Sequence, residues 1–207
     1  MMQNLKIIKI QGQVRRPNRK TIFLDNGDVF GITEDVLISN NLVEGQTISE
    51  TEIEKIKFDE SNNKALNAAY RLLSYRMRSE SEMKNRLKQK DYDKNIITAV
   101  IEYLKTINYL NDEEFAIAFA RDKINSKQIG PIALRQEFIQ HYLSKELINE
   151  TINKVYEEFP VSELILRNIK KSMRDQKWQN DPQKTQRVIA MLKRKGFSWD
   201  DITTLIE

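Results

Sequence analysis

Helix starts recur along this chain at a fixed interval, and that recurrence limits the fold more than any other feature of the sequence. Strong amino-terminal signals fall at Ser79, at Gly130-Pro131 and at Asp181-Pro182, roughly 51 residues apart each time, a period typical of repeat architectures. A second series follows at Asp93, Ser144 and Ser198, and a third lies near Ser61, Asp112 and Ser162. Each start has its own chemistry. Ser79-Glu-Ser-Glu82 is a capping box, in which hydroxyl and carboxylate satisfy free backbone donors. Pro131 and Pro182 stand where no intrahelical donor is needed, and Ser198-Trp-Asp-Asp201 is a box with Asp in place of Glu. At the joint between the first two periods, Asp112 is predicted as an N-cap with Glu113 and Glu114 in the positive first turn. Tyr109 and Leu110 are predicted to pack where the chain turns.

Apolar spacing supports three helices per period. Ala69, Leu72, Leu73 and Met77 form one stripe, Met83 and Leu87 a narrower one, and Ile96, Ile97, Val100, Ile101 and Leu104 a wide one. The second period answers with Phe115, Ala116 and Phe119, then Leu134 and Phe138, then Leu147, Ile148, Ile152, Val155 and Tyr156. The third has Leu164, Leu166, Ile169 and Met173, then Val188, Ile189 and Leu192, then Ile202, Leu205 and Ile206. Units this small bury little alone, so neighbours are expected to stack into an elongated, curved array. We read a mainly α chain: a small N-terminal β-containing domain over 1–60, then tandem three-helix repeats over 61–110, 111–160 and 161–207.

The first 60 residues have a different texture. Leu5 to Val14 alternates in part, Lys20 to Leu24 and Val29 to Ile32 are short β-like runs, and Asp25-Asn-Gly-Asp28 between the last two is a hairpin signal because Asn-Gly tolerates positive φ. Helix starts follow at Thr33 and at the capping box Ser49-Glu-Thr-Glu52, with the domain ending by about Phe58. Arg15, Arg16, Arg19 and Lys20 around Pro17 read as a solvated basic turn.

Charge is segregated along the repeats. Residues 64–90 hold eight Lys/Arg against two Glu, and residues 160–197 hold ten against three acids. Residues 91–159 reverse the balance, with eight bases and twelve acids. The formal net charge of +4 conceals these blocks. Candidate contacts for a polyanionic partner are Arg71, Arg76, Arg78, Lys84, Arg86, Lys88 and Lys90, with Arg135 between the blocks. The carboxyl-terminal block adds Lys170, Lys171, Arg174, Lys177, Lys193, Arg194 and Lys195. Such runs also serve simply as solvated faces or as complements to helix carboxyl ends.

Catalytic readings find little support. The chain has no cysteine and one histidine, His141, too few for a common zinc site, and on an amphipathic helix such a residue is structural or superficial. None of the six glycines forms a phosphate-cradling loop. The acid pairs Glu113/Glu114 and Asp200/Asp201 lie at helix starts, where the dipole accounts for them. A helix-turn-helix reader would insert a first turn into the major groove, yet Ser79-Glu-Ser-Glu82 would bring acids to the phosphates. Trp178 and Trp199 adjoin helix boundaries and are expected to pack between units. No apolar run approaches a membrane span, and no secretory leader is evident, so a cytoplasmic location with no membrane partner is expected. No enzyme, metal or cofactor is expected, and a monomer is.

Three motifs carry a resemblance. Arg76-Met-Arg-Ser79-Glu-Ser-Glu82-Met-Lys-Asn-Arg-Leu87, the joint Tyr109-Leu110-Asn-Asp112-Glu-Glu-Phe115-Ala116, and Gly130-Pro131 followed by Arg135-Gln-Glu137 are similar to signature segments of the RecX family of bacterial recombination regulators. The likeness covers roughly residues 65–159 and weakens in the third unit. It implies tandem three-helix repeats, an amino-terminal extension, and binding to the RecA recombinase, as filament on single-stranded DNA or as monomer, with restraint of its ATPase, strand-exchange and coprotease activities. Where the family carries glycine before each third helix, this chain has Asp91-Tyr92 and Tyr142-Leu143; only Lys195-Gly196-Phe197 keeps it. Two other readings stay open from the residues: a sequence-independent nucleic-acid-binding helical module acting without RecA, and a protein-directed helical-repeat adaptor.

Overall fold

The computed structural model describes residues 4–172 and 178–206. Packing divides the chain into two units, Met1–Arg76 with Met83–Ile107, and Met77–Glu82 with Asn108–Glu207.

The first unit opens with a four-stranded sheet in the order β3-β2-β1-β4, all pairs antiparallel. Strands β1 (Asn4–Gln13), β2 (Arg16–Leu24) and β3 (Val29–Thr33) are joined by tight turns, and β4 (Thr47–Ser49) adds a short edge that has no sequence signal of its own. The Asn-Gly hairpin forms as expected, with Gly27 at φ +88 and Phe23 opposite Val29. The basic segment departs from expectation. Arg16 to Lys20 is strand rather than turn, and Pro17 is accommodated because the β1–β2 register slips there, leaving no ladder bond for its missing donor. Alternation sends Leu5, Ile7, Ile22, Leu24, Ile32 and Ile48 to one face, where they are buried against Val36, Ile53 and Ile56.

Those last residues come from α1 (Glu34–Ser39) and α2 (Glu50–Tyr75). Ser49 and Glu52 make the full reciprocal capping box at the start of α2. The helix then continues for 26 residues, so the expected end near Phe58 and the new start near Ser61 are both corrected. No glycine or proline interrupts the stretch; Ile53, Ile56 and Glu60 are buried along one face of its first half, and Ala65 and Ala69, four residues apart, along another face of its second half. Glu60 is a buried carboxylate held from three elements. It accepts from Arg19 Nη1 at 2.8 Å, Thr33 N at 2.7 Å and Thr33 Oγ1 at 3.1 Å, and pairs with Lys64 Nζ at 3.2 Å. Burial alone would raise its pKa, but the Thr33 donor and the two cations outweigh that and hold it below its ordinary value.

The repeats follow in sequence. After α2 come α3 (Glu80–Lys88) and α4 (Lys94–Thr106), then α5 (Asp112–Lys127), α6 (Pro131–Phe138) and α7 (Lys145–Glu158). The last three are α8 (Val161–Ser172), α9 (Pro182–Arg194) and α10 (Trp199–Ile206). Helices α3, α6 and α9 keep the expected period. Immediately before each third helix the backbone turns left-handed at the equivalent residue: φ is 60° at Asp91, 54° at Tyr142 and 81° at Gly196. The turn thus survives where glycine is absent, at the modest cost a side chain incurs in that region.

In the second unit the cores of the second and third repeats are continuous. Ala116, Ala120, Ile124, Leu134, Phe138 and Val155 share one cluster with Leu164, Ile165, Trp178, Val188, Leu192, Phe197 and Ile202. Two stripe positions are corrected: Met77, which lies beyond the end of α2, is 46% exposed, and Leu166 is 53% exposed because the buried face of α8 runs instead through Leu164, Ile165, Asn168 and Ile169. Met173 lies outside the described residues. Trp178 is buried as expected, whereas Trp199 is half exposed, with Lys193 Nζ 4.4 Å from its ring centre. Among the described residues no helix is long and apolar enough to cross a membrane.

Candidate binding surface

The joint between repeats holds the family-like residues, and its geometry differs from the simple cap predicted. Asn111, not Asp112, caps α5: its Oδ1 accepts from Glu113 N at 3.0 Å and Glu114 N at 3.1 Å. Asp112, one residue inside, accepts from Glu80 N at 2.7 Å. A carboxylate at the start of α5 therefore satisfies a free donor at the start of α3. Ser79 completes the clasp: its hydroxyl accepts from Glu82 N at 3.1 Å and donates to the His141 carbonyl at 2.9 Å. The predicted capping box is only half present, because Glu82 turns to His141 Nδ1, 3.2 Å away. His141 is 5% exposed and its ring lies edge-on to Phe115 and Phe119. Phe115, Ala116 and Leu110 are buried, while Tyr109 is 60% exposed.

Gly130 and Pro131 begin α6 against the turn that precedes α10. Gly130 N donates to the Lys195 carbonyl at 2.8 Å and Ile132 N to the Gly196 carbonyl at 3.1 Å. A methyl group on Gly130 would stand 2.4 Å from that Gly196 oxygen, and one on Gly196 would stand 2.2 Å from Ala133 N. These two glycines are required by the contact of one backbone with another.

The candidate cations separate into those with structural duties and those without. Lys195 is half-buried and donates from Nζ to the Lys127 carbonyl at 2.6 Å; burial, then the Lys171 charge, lowers its pKa. Lys193 lies over Trp199, Arg86 donates to Gln89 at 3.2 Å, and Arg135 donates to Asn149. Arg76, Arg78 and Lys84 also have partners within the fold. Arg71, Lys88 and Lys90 are exposed in the first unit, and Lys170, Lys171 and Arg194 in the second, with no hydrogen bond or ion pair from their side chains among the described residues. Arg174 and Lys177 lie outside the described residues. Sequence reading missed Lys64, which stands on the same face of α2 as Arg71 seven residues later, a helical spacing visible in the sequence. Among the described residues no three His, Asp or Glu converge as metal ligands.

Comparison with known proteins agrees with this architecture. Residues 65–104 match the family model for the RecX first three-helix domain, and residues 111–152 that for the RecX second three-helix domain. The chain is 34% identical over 201 residues to a Regulatory protein RecX of Bacillus velezensis, covering 97% of this chain and 76% of that protein. It is 31% identical, with the same coverage, to one of Bacillus subtilis. A crystal structure of regulatory protein RecX superposes with a TM-score of 0.75 at 28% identity, covering 97% of this chain and 98% of that one. The crystal structure of RecX from Lactobacillus salivarius, at 22% identity and a TM-score of 0.61, covers 72% of this chain and 96% of that one and shares the fold. With tandem three-helix domains, a preceding sheet and relatives this similar over nearly its whole length, the chain belongs to the RecX family of regulatory proteins.

Proposed function

We propose that this protein binds the RecA recombinase filament on single-stranded DNA and restrains its ATPase, strand-exchange and coprotease activities by occupying the filament groove. It acts in the cytoplasm, in DNA repair, recombination and the SOS response, as a monomer without cofactor or chemistry of its own. The working parts are the amino-terminal sheet domain, which runs through the unbroken α2 into the first repeat rather than ending at residue 60, and the repeats that follow to about 110, over 111–160 and over 161–207. One observation carries the reading: exposed cations whose side chains have no ion-pair partner among the described residues, Arg71, Lys88 and Lys90 before the acidic second repeat in the sequence and Lys170, Lys171 and Arg194 after it. Two modest contacts on one chain, to protein and to strand, gain affinity through effective concentration. A ligand that favours an inactive filament state lowers turnover without touching the partner's catalytic groups.

The test is the steady-state ATPase of cognate RecA on single-stranded DNA while this protein is titrated in. A fall in rate well below one copy per RecA, with no ATPase from this protein alone, is expected. An unchanged rate at saturation with a folded sample would exclude RecA regulation. Equal binding to bare strands and to filaments would then favour a nucleic-acid module acting without RecA.

A further inference from the structure

Within the first unit, a groove of about 630 Å³ runs between the sheet and the first repeat. Its floor is α2, which contributes Lys64, Asn67 and Arg71 from one face; one wall carries Asn18 and Arg19 of β2 with the start of α1, and the other the α3–α4 turn with Lys90 and Tyr92. The charges do not cancel. Glu60 absorbs one positive charge from Arg19 and Lys64 together, and Glu34 is paired with Lys20 at 3.0 Å. Arg71 and Lys90 are exposed, and neither side chain has an ion pair or hydrogen bond among the described residues. The one unpaired acid on the wall, Asp35, lies in the first turn of α1, where the backbone dipole offsets part of its charge.

The lining also indicates the class of occupant. A docking site for a folded partner would present a buried apolar centre. Here Ala68 is the sole aliphatic side chain among the lining residues, with Tyr92 the only ring. Cations spaced along a polar cleft, an amide from Asn67 or Asn18, and one half-buried aromatic ring suit a phosphodiester strand, in which phosphates meet the charges and a base can lie against the ring. We propose that this groove, built jointly by the amino-terminal sheet and the first repeat, holds about two consecutive phosphates of a single nucleic-acid strand. The amino-terminal domain thereby becomes one wall of a binding site. This deepens the single-strand contact of the proposed function and is tested without the recombinase, so its failure and the failure of RecA regulation are separate results.

The experiment measures binding of the full-length protein to fluorescent oligo(dT) across a salt series. Arg71→Ala with Lys90→Ala removes two cations whose side chains make no hydrogen bond or ion pair among the described residues; affinity should fall about tenfold at low salt, and the slope of log K against log salt should flatten by about 1.4. Lys57→Ala with Lys94→Ala removes the same charge from elsewhere in this unit and should change binding less than twofold. Asn18→Glu brings a carboxylate in from the sheet wall and should weaken binding at least as much as either groove cation removed singly. Equal losses for the two double variants, or no loss for either, would overturn the groove. Unchanged binding by Asn18→Glu would overturn the role of the sheet.

Discussion

Replacing Gly130 by Ala should destabilise the second unit, and the structure sets the size of the effect. The φ of Gly130 is −88°, which any residue adopts, so the cost arises from contact rather than backbone strain. The added carbon would lie 2.4 Å from the Gly196 oxygen, 2.7 Å from its carbonyl carbon and 2.7 Å from Phe197 Cδ1. Backbone atoms on the opposing turn must retreat. That movement weakens the Gly130 N to Lys195 and Ile132 N to Gly196 hydrogen bonds, each worth about 1 kcal/mol. Forcing a methyl into a filled space adds about 1–3 kcal/mol. A total near 3 kcal/mol corresponds to a fall in Tm of about 6–12 °C for a chain of this length. Trp178 and Trp199 are the only tryptophans and both lie in the third repeat, so urea and thermal unfolding followed by their fluorescence report on the side of the contact that must move. Gly12 supplies the control, because a methyl there meets nothing within 4 Å. A Gly130→Ala protein within about 0.5 kcal/mol of the Gly12→Ala protein would refute the claim that backbone contact dictates this glycine.

The two cap assignments at the joint can be separated by substitution. Asn111→Ala should uncap α5 and Asp112→Ala should free the Glu80 N–H, each costing about 1–2 kcal/mol in urea unfolding; a neutral Asp112→Ala would sink the cross-helix clasp. Glu60 should contribute to acid sensitivity. Its folded pKa lies below the ordinary 4.5, so its stabilising share is present above that pH and is lost as pH falls through the folded value. Glu60→Gln should cost about 1–3 kcal/mol at pH 7 and narrow the stability difference between pH 7 and pH 3; an unchanged difference would exclude Glu60 from the acid response.

Features legible in the sequence are those settled between near neighbours. Ser49 with Glu52, Ser198 with Asp201, and Asp181 with the Gln183 and Lys184 amides all form as the spacing predicts, since a residue three positions away is within reach wherever the helix goes. Misreadings occur where a distant group takes a side chain that a local rule had already assigned. Glu82 leaves its cap for His141, and Asp112 serves α3 rather than its own helix. Lys195, counted among the binding cations, is committed to a carbonyl 68 residues away. The unbroken α2 is a different kind of miss. Ser61 looks like a cap, but a serine inside an apolar period stops nothing unless a breaker accompanies it.

The three left-handed turns show why a repeat can keep its geometry while losing its residues. Asp91 and Tyr142 are exposed, so their side chains project into solvent and the φ penalty is all they incur. Gly196 occupies the same place in the third repeat, but Ala133 stands against it and leaves no room for a Cβ. Glycine is therefore dictated there by the neighbouring repeat, and only secondarily by φ. The same contact dictates Gly130 from the other side. The third repeat is held on the second by their common core, which includes Phe197, and at its edge by this pair of backbones in contact with two main-chain hydrogen bonds between them. An outward-facing cation such as Lys170 makes no hydrogen bond or ion pair from its side chain among the described residues, whereas a methyl on either Gly130 or Gly196 meets backbone atoms of the opposing repeat, so each glycine is required whatever stands at the other.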